Sequence, residues 1–156
     1  MIKIKELTKS KVIEVVAIYK EHDKKDSEII KKVYTKFYSK PKKQRGTNIK
    51  DYILIEDKEI IGFSGFNKEE TETKDIFWLN WTAIKKGHEQ KGYGKILLKH
   101  ILKELKKRKG RKLYVSTSSK NTNANEFYKS IGFNKEAQLK DYYKKGEDSI
   151  ILSINV

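Results

Sequence analysis

The chain has 156 residues, a length that suits one domain with a substantial core and is short for two. It holds no cysteine, which excludes disulfides, thiolate metal sites and a cysteine nucleophile, and its three histidines, His22, His88 and His100, lack paired ligand spacing, so no metal is expected. With 36 lysines and arginines against 21 acids, the formal net charge of +15 favours anionic partners, either nucleic acid or a small ligand carrying several phosphates, unless the lysines only cover solvated faces.

Ile2-Lys3-Ile4-Lys5 alternates as a strand does, and Val12, Ile13, Val15, Val16 and Tyr19 follow Ser10 at helical spacing. Lysines interrupt this opening stretch throughout, which argues against a signal peptide or membrane span and makes a cytoplasmic protein without membrane contact the expectation. Asp26 or Ser27 is expected to cap a second helix carrying Ile29, Ile30, Val33, Tyr34 and Phe37, which must stop before Pro41. "SKPKKQRGTN", 39–48, then reads as one exposed loop.

The apolar runs 52–55 and 60–66 flank Glu56-Asp57-Lys58-Glu59 as a hairpin would, and "IFWLNWTAI", 76–84, reads as one more strand. Behind a glycine-rich loop comes a helix in which Leu97, Ile101 and Leu105 recur every four residues, with Lys95, Lys99, Lys103 and Lys106 opposite; it ends at Gly110. "KLYVSTS" is strand-like, "NANEFYKSIGF" is a short helix stopping at Gly132, and "SIILSINV" is a C-terminal strand after a turn at Gly146. The order β-α-α-β-β-β-α-β-α-β-β describes a single α/β domain over 1–156. Its mixed sheet is mostly antiparallel and flanked by helices, with one βαβ crossover from strand 76–84 to strand 112–118.

The loop "GHEQKGYGK" has to be tested against two phosphate motifs. Gly87 and Gly92 have P-loop spacing, but Tyr93-Gly94 stand where Lys and Ser or Thr must follow; Gly92-Tyr93-Gly94 lacks the third glycine of a dinucleotide fingerprint. What remains is a strand–loop–helix junction whose amides from about Gln90 to Lys95 converge at the positive end of a helix, with Lys91 and Lys95 beside it. Such a nest suits a pyrophosphate.

The pairing of "EQKGYGKILL" with "NTNANEFYKSIGF" some thirty residues later resembles the GCN5-related N-acetyltransferase family, in which Q/R-x-x-G-x-G/A precedes a strand and then N-x-x-A-x-x-x-Y-x-x-x-G-F. Asn121, Ala124, Tyr128, Gly132 and Phe133 match the second pattern, while Glu89 departs from the Gln or Arg that opens the first. The resemblance spans roughly 50–156 and implies the acyl-CoA N-acyltransferase fold, with a partly splayed sheet and acetyl-coenzyme A as co-substrate. By it, the backbone of Thr82, Ala83 and Ile84 would bond the pantetheine arm as an added strand. Amides from Glu89 through Gln90, Lys91, Gly92, Tyr93 and Gly94 to Lys95 would hold the pyrophosphate, Asn121 would meet the pantetheine, and Tyr128 would sit near the sulfur as general acid. A phenol with pKa near 10 can donate to a thiolate at neutral pH, and a backbone amide around Ile84 could polarise the carbonyl.

"LKDYYKKGEDSIILSI" is similar to the hairpin of N-terminal amine acetyltransferases, including the ribosomal-protein alanine type, and this implies substrate contacts for Tyr142 and Tyr143. In those enzymes a glutamate stands where this chain has Ser116, so no base is evident. Asn80 can position a water, and Asp141 or an acid of "NKEETETKD" is the remaining carboxylate candidate. An α-amino group is about a tenth neutral at pH 7 and a lysine-type amine far less so, which favours a peptide N-terminus as acceptor; a polyamine is the alternative if the acidic stretch 69–75 lines an entrance. A basic nucleic-acid-binding module has charge behind it but no motif, and the residues leave open both coenzyme A binding without catalysis and a homodimer.

Overall fold

In the computed structural model, which describes residues 1–69 and 73–156, the hairpin strands are β2 (Ile49–Glu56) and β3 (Glu59–Asn67). Only Asp57 and Lys58 turn, both at positive φ (45° and 77°), and this is the two-residue turn whose twist matches the flanking strands. β1 (Ile2–Glu6) joins the other edge of β2, antiparallel, with Ile2 opposite Glu56.

Two amphipathic helices, α1 (Val12–Lys20) and α2 (Lys24–Ser39), bury Val12, Val15, Val16, Ile18, Ile30, Tyr34 and Tyr38 in one cluster with Ile53, Ile60 and Phe63. Three residues expected on apolar faces lie outside it: Ile13, Ile29 and Val33 are exposed. The cap of α2 is Asp23, not Asp26 or Ser27. Asp23 has extended backbone and its Oδ1 accepts from the Asp26 amide at 2.8 Å, whereas Ser27 is buried within the first turns and donates back to the Lys24 carbonyl. The helix stops at Ser39 because Lys40, preceding Pro41, must be extended.

The single strand expected over 76–84 is interrupted, forming β4 (Ile76–Leu79) and β5 (Ala83–Ile84). Asn80 donates its amide to the Gly65 carbonyl at 2.8 Å, whereas Ala83 stands opposite Phe63 and Ile84 opposite Gly62. Trp81 and Thr82 together therefore face the single residue Ser64, a two-against-one bulge that a uniform apolar run does not announce.

Residues 1–69 and 79–101 form one compact unit and 73–78 and 102–156 a second. Helix α3 (Tyr93–Lys107) begins in the first and ends in the second, with Leu97, Leu98, Ile101 and Leu105 buried at the predicted spacing. In the second unit β6 (Lys112–Ser118) pairs parallel with β4, Phe77 opposite Leu113, and so completes the expected βαβ crossover. On its other side lies β8 (Glu147–Asn155), antiparallel, and then β7 (Asn134–Lys144). Between β6 and β7, α4 (Thr122–Ile131) closes on Gly132 at φ 116°. Every described pairing is antiparallel except β4 with β6, so the described residues form a mixed, mostly antiparallel α/β structure with four α-helices. No helix among the described residues is long and apolar enough to cross a membrane.

Gly65 is where the strands leave no room. A Cβ there would lie 2.3 Å from Asp51 Oδ1 and 2.3 Å from the Lys50 carbonyl oxygen, the latter part of the backbone and unable to yield cheaply. Gly65→Ala is expected to lower unfolding free energy by about 2–3 kcal/mol, as read from the urea midpoint at constant m-value.

Candidate active site

The glycine loop runs from Lys85 into α3. Gly87, Gln90 and Gly92 adopt positive φ (86°, 59° and 84°), and the Ile96 amide bonds the Gly92 carbonyl at 3.1 Å, which makes Gly92 the residue that opens the helix. The amides of Tyr93, Gly94 and Lys95 thus belong to the first turn, where no intrahelical carbonyl can reach them, and Lys91 and Lys95 are exposed alongside. Tyr93 can serve a ligand only through its amide. Its ring is buried with Leu54, Ile61 and Leu97, and its hydroxyl donates to Glu56 Oε1 at 2.6 Å, which raises the phenol's pKa.

β5 pairs with β3 on one side only. Because the Lys85 amide bonds the Ile61 carbonyl at 2.8 Å, antiparallel alternation turns the N–H and C=O of Ile84 away from β3. His22, in the turn between α1 and α2, meets that carbonyl at 2.7 Å through Nε2, which must carry the hydrogen because a carbonyl only accepts. Its Nδ1 lies 3.8 Å from Glu89 Oε1, and Glu21 Oε2 accepts from the Lys86 amide at 2.8 Å. The turn therefore clasps residues 84–86, and the carboxylate of Glu89 faces the imidazole across 3.8 Å. Thr82 spends its hydroxyl inside the bulge, 2.6 Å from Ser64 Oγ. Sequence reasoning missed Glu21 and His22; they stand about sixty residues from their partners, and no local pattern marks them.

A second missed group surrounds Asp51, which is 2 % exposed. Its Oδ1 accepts from Tyr34 Oη at 2.7 Å and Asn80 Nδ2 at 2.9 Å, and its Oδ2 accepts from Tyr38 Oη at 2.8 Å. Burial pushes the Asp51 carboxyl up from its ordinary pKa, against the pull of the three donors, and burial beside this carboxylate raises both phenols. Asn80 is therefore tied into a buried network, and Asn67 Nδ2 donates to its Oδ1 at 2.5 Å. The signal available in the sequence was a lone acid heading the apolar run "DYILI".

In the second unit, Asn121 caps α4, its Oδ1 accepting from the Ala124 amide at 3.1 Å, so its Nδ2 is the group left to meet a ligand. Tyr128 is 7 % exposed with its ring against Phe127 and Phe133 at 5.3 Å. Ser116 Oγ lies 2.8 Å from Ser149 Oγ and 3.5 Å from Tyr143 Oη, so Ser116 and Tyr143 come together; the rings of Tyr142 and Tyr143 pack edge-on at 5.1 Å and both residues are exposed. Two of the carboxylate candidates are engaged elsewhere, and Glu69 is exposed. Asp141 Oδ1 accepts from the Gly146 amide within the hairpin, and Asp75 pairs with Arg111 at 2.8 Å. Glu70 and Glu72 lie outside the described residues.

The loop fits a pyrophosphate by its donor set: first-turn amides, two exposed lysines, and one carboxylate that faces His22. The open side of Gly92 agrees, since a Cβ there would meet nothing within 4 Å. Comparison with known proteins gives the family. The model of the acetyltransferase (GNAT) family matches residues 12–133, and the chain belongs to that family. The [ribosomal protein bS18]-alanine N-acetyltransferase of Escherichia coli strain K12 is 31% identical over 77 residues, 47% of this chain and 52% of that protein; the chain spans about half the length of the curated relatives it matches. Among solved structures, a GNAT-family protein from Desulfovibrio desulfuricans superposes with a TM-score of 0.88 at 19% identity over 99% of both chains. An aminoglycoside 6'-N-acetyltransferase complexed with coenzyme A gives 0.77 at 12%, over 98% of this chain and 96% of that one.

At φ 84° a branched residue in place of Gly92 is strained and puts bulk on the open side of the loop. Gly92→Val is expected to stay folded but to bind coenzyme A at least tenfold more weakly, ~1.4 kcal/mol by calorimetry. Unchanged affinity would remove the loop from the ligand site.

Proposed function

We propose that the chain, as one N-acetyltransferase domain acting in the cytoplasm, transfers the acetyl group of acetyl-coenzyme A to a primary amine, and that the preferred acceptor is a peptide or protein N-terminus. The observation that carries the donor side is the amide-lined loop at the start of α3 directly after a strand that, among the described residues, pairs with β3 alone. The Ile84 amide is the donor of choice for the thioester oxygen, and the amides from Glu89 to Lys95 for the pyrophosphate; Thr82, Ala83 and Asn121 complete the pantetheine contacts.

In this reading the neutral amine attacks the thioester carbonyl carbon, the C–N bond forms, and the oxyanion accepts from a backbone amide. Collapse breaks the C–S bond. The departing thiolate takes the proton of Tyr128 Oη, and the nitrogen loses its extra proton to water. Removal of a positioned acid typically costs 10²–10⁴-fold, so Tyr128→Phe should lower kcat by roughly a hundredfold while coenzyme A affinity stays near wild type. A kcat that holds would hand the role to another group.

The relatives named for ribosomal-protein alanine acetylation support the acceptor assignment, as do the exposed pair Tyr142–Tyr143 and the hydroxyl of Ser116 beside it. A polyamine is the second reading, and the net charge of +15 weighs against it by repelling a polycation. Across pH 6 to 9, short peptides with free N-termini should show higher kcat/KM than polyamines or N-blocked lysine peptides. Preference for a lysine side chain or a polyamine would overturn the assignment.

A further inference from the structure

The Asp51 cluster has a direction. A carboxylate only accepts, and its oxygens are met by two phenols and by Asn80, so the Asn80 amide has one permitted orientation: Nδ2 inward to Asp51 at 2.9 Å and Oδ1 outward. Asn80 Oδ1 then imposes the same sense on its neighbour, because Asn67 must present Nδ2 to it, at 2.5 Å, which leaves Asn67 Oδ1 pointing onward. Asn67 Oδ1 has no partner among the described residues, and Asn80 Oδ1 retains a second lone pair. Both residues are half-buried, at the end of β3 and at the strand break two residues before Thr82. No lysine or arginine forms an ion pair with Asp51 among the described residues, so the polarity of the buried charge is passed to the amides rather than neutralised at its source.

Resting on the acetyl-transfer reading above, we infer that Asn67 and Asn80 form the acceptor-amine subsite. Their Oδ1 atoms receive N–H hydrogens of the incoming ammonium or amine, with Asp51 as the positioning residue that holds both amides oxygen-outward. A subsite made of two acceptors and backed by a carboxylate selects a nitrogen bearing several hydrogens and rejects its acylated counterpart, which offers one N–H and a competing oxygen. It also accounts for a substrate role of Asn80 without asking an amide to hold a proton.

The test compares wild type, Asn67→Leu and Asp51→Asn. At saturating acetyl-coenzyme A, Asn67→Leu is expected to raise the KM of the peptide acceptor about tenfold, the usual loss for a hydrogen bond to a charged group, with kcat within threefold and coenzyme A affinity unchanged. Asp51→Asn, with wild-type-like circular dichroism as the check on folding, should raise the same KM and leave coenzyme A affinity alone. Independently of turnover, calorimetric titration of a short free-N-terminus peptide and its N-acetylated twin should show wild type favouring the free amine, and Asn67→Leu losing most of that preference. An acceptor KM within twofold of wild type in Asn67→Leu, or equal discrimination between the twins in both proteins, overturns the subsite. Should wild type acetylate no amine, the acetyl-transfer reading fails by itself, and the titration of the two peptides still decides the subsite.

Discussion

A carboxylate enclosed in protein must find donors for its oxygens or give up its charge, and Asp51 finds three, from α2 and from the strand break. Two phenols donate from successive turns of α2, which fixes the helix against β2. The amide of Asn80 donates from the other direction. Gly65 is the counterpart on β3: only a residue without a side chain lets Asp51 and the Asn80 amide reach their positions across the strand. The bulge at Trp81 and Thr82 begins at the residue Asp51 holds, and β5 follows it directly.

From that bulge the consequences run along the chain. Shifting the register by one residue between Asn80 and Ala83 decides which backbone groups of β5 face β3 and which face outward. Ile84 faces outward, so its amide is available and its carbonyl meets His22. The loop that follows is held from two sides. Glu21 and His22 grip residues 84–86, and the hydroxyl of Tyr93 reaches Glu56, with His88 Nδ1 3.7 Å from the same carboxylate. Side chains around the loop are thus engaged with neighbouring groups, whereas the first-turn amides of α3 belong to the backbone and are not removed by a side-chain substitution. An anion held by those amides, as proposed, would not depend on the side chain at position 89.

Much of this could be read in the residues beforehand, and the line between legible and illegible is physical. Leu97, Ile101 and Leu105 announced α3 because helical periodicity is a property of neighbours in sequence. Gly132 announced the end of α4, where it takes positive φ, because local sterics govern a helix stop. The break within 76–84 was hidden, since a bulge depends on what stands across the sheet, and Ser64 is far in sequence from the residues that oppose it, 18 residues from Thr82. The cap of α2 was misplaced by one turn because aspartate and serine occur at 23, 26 and 27, and each is locally competent. The acidic stretch near 69–75 resolved differently again. Asp75 looked like a candidate for an entrance, yet it pairs with Arg111, across thirty-six residues.

The sequence by itself determined most element types, the single crossover, the glycine-led start of α3 and the family, because periodicity, glycine placement and motif spacing are all local in the chain. The tertiary structure alone decided where polar side chains end: Asp51 in a shell of donors, Asn67 and Asn80 turned oxygen-outward by it, His22 on the Ile84 carbonyl. Hydrogen-bond partners of buried groups are chosen by position in space, and those positions exist only after strands distant in sequence have settled their register.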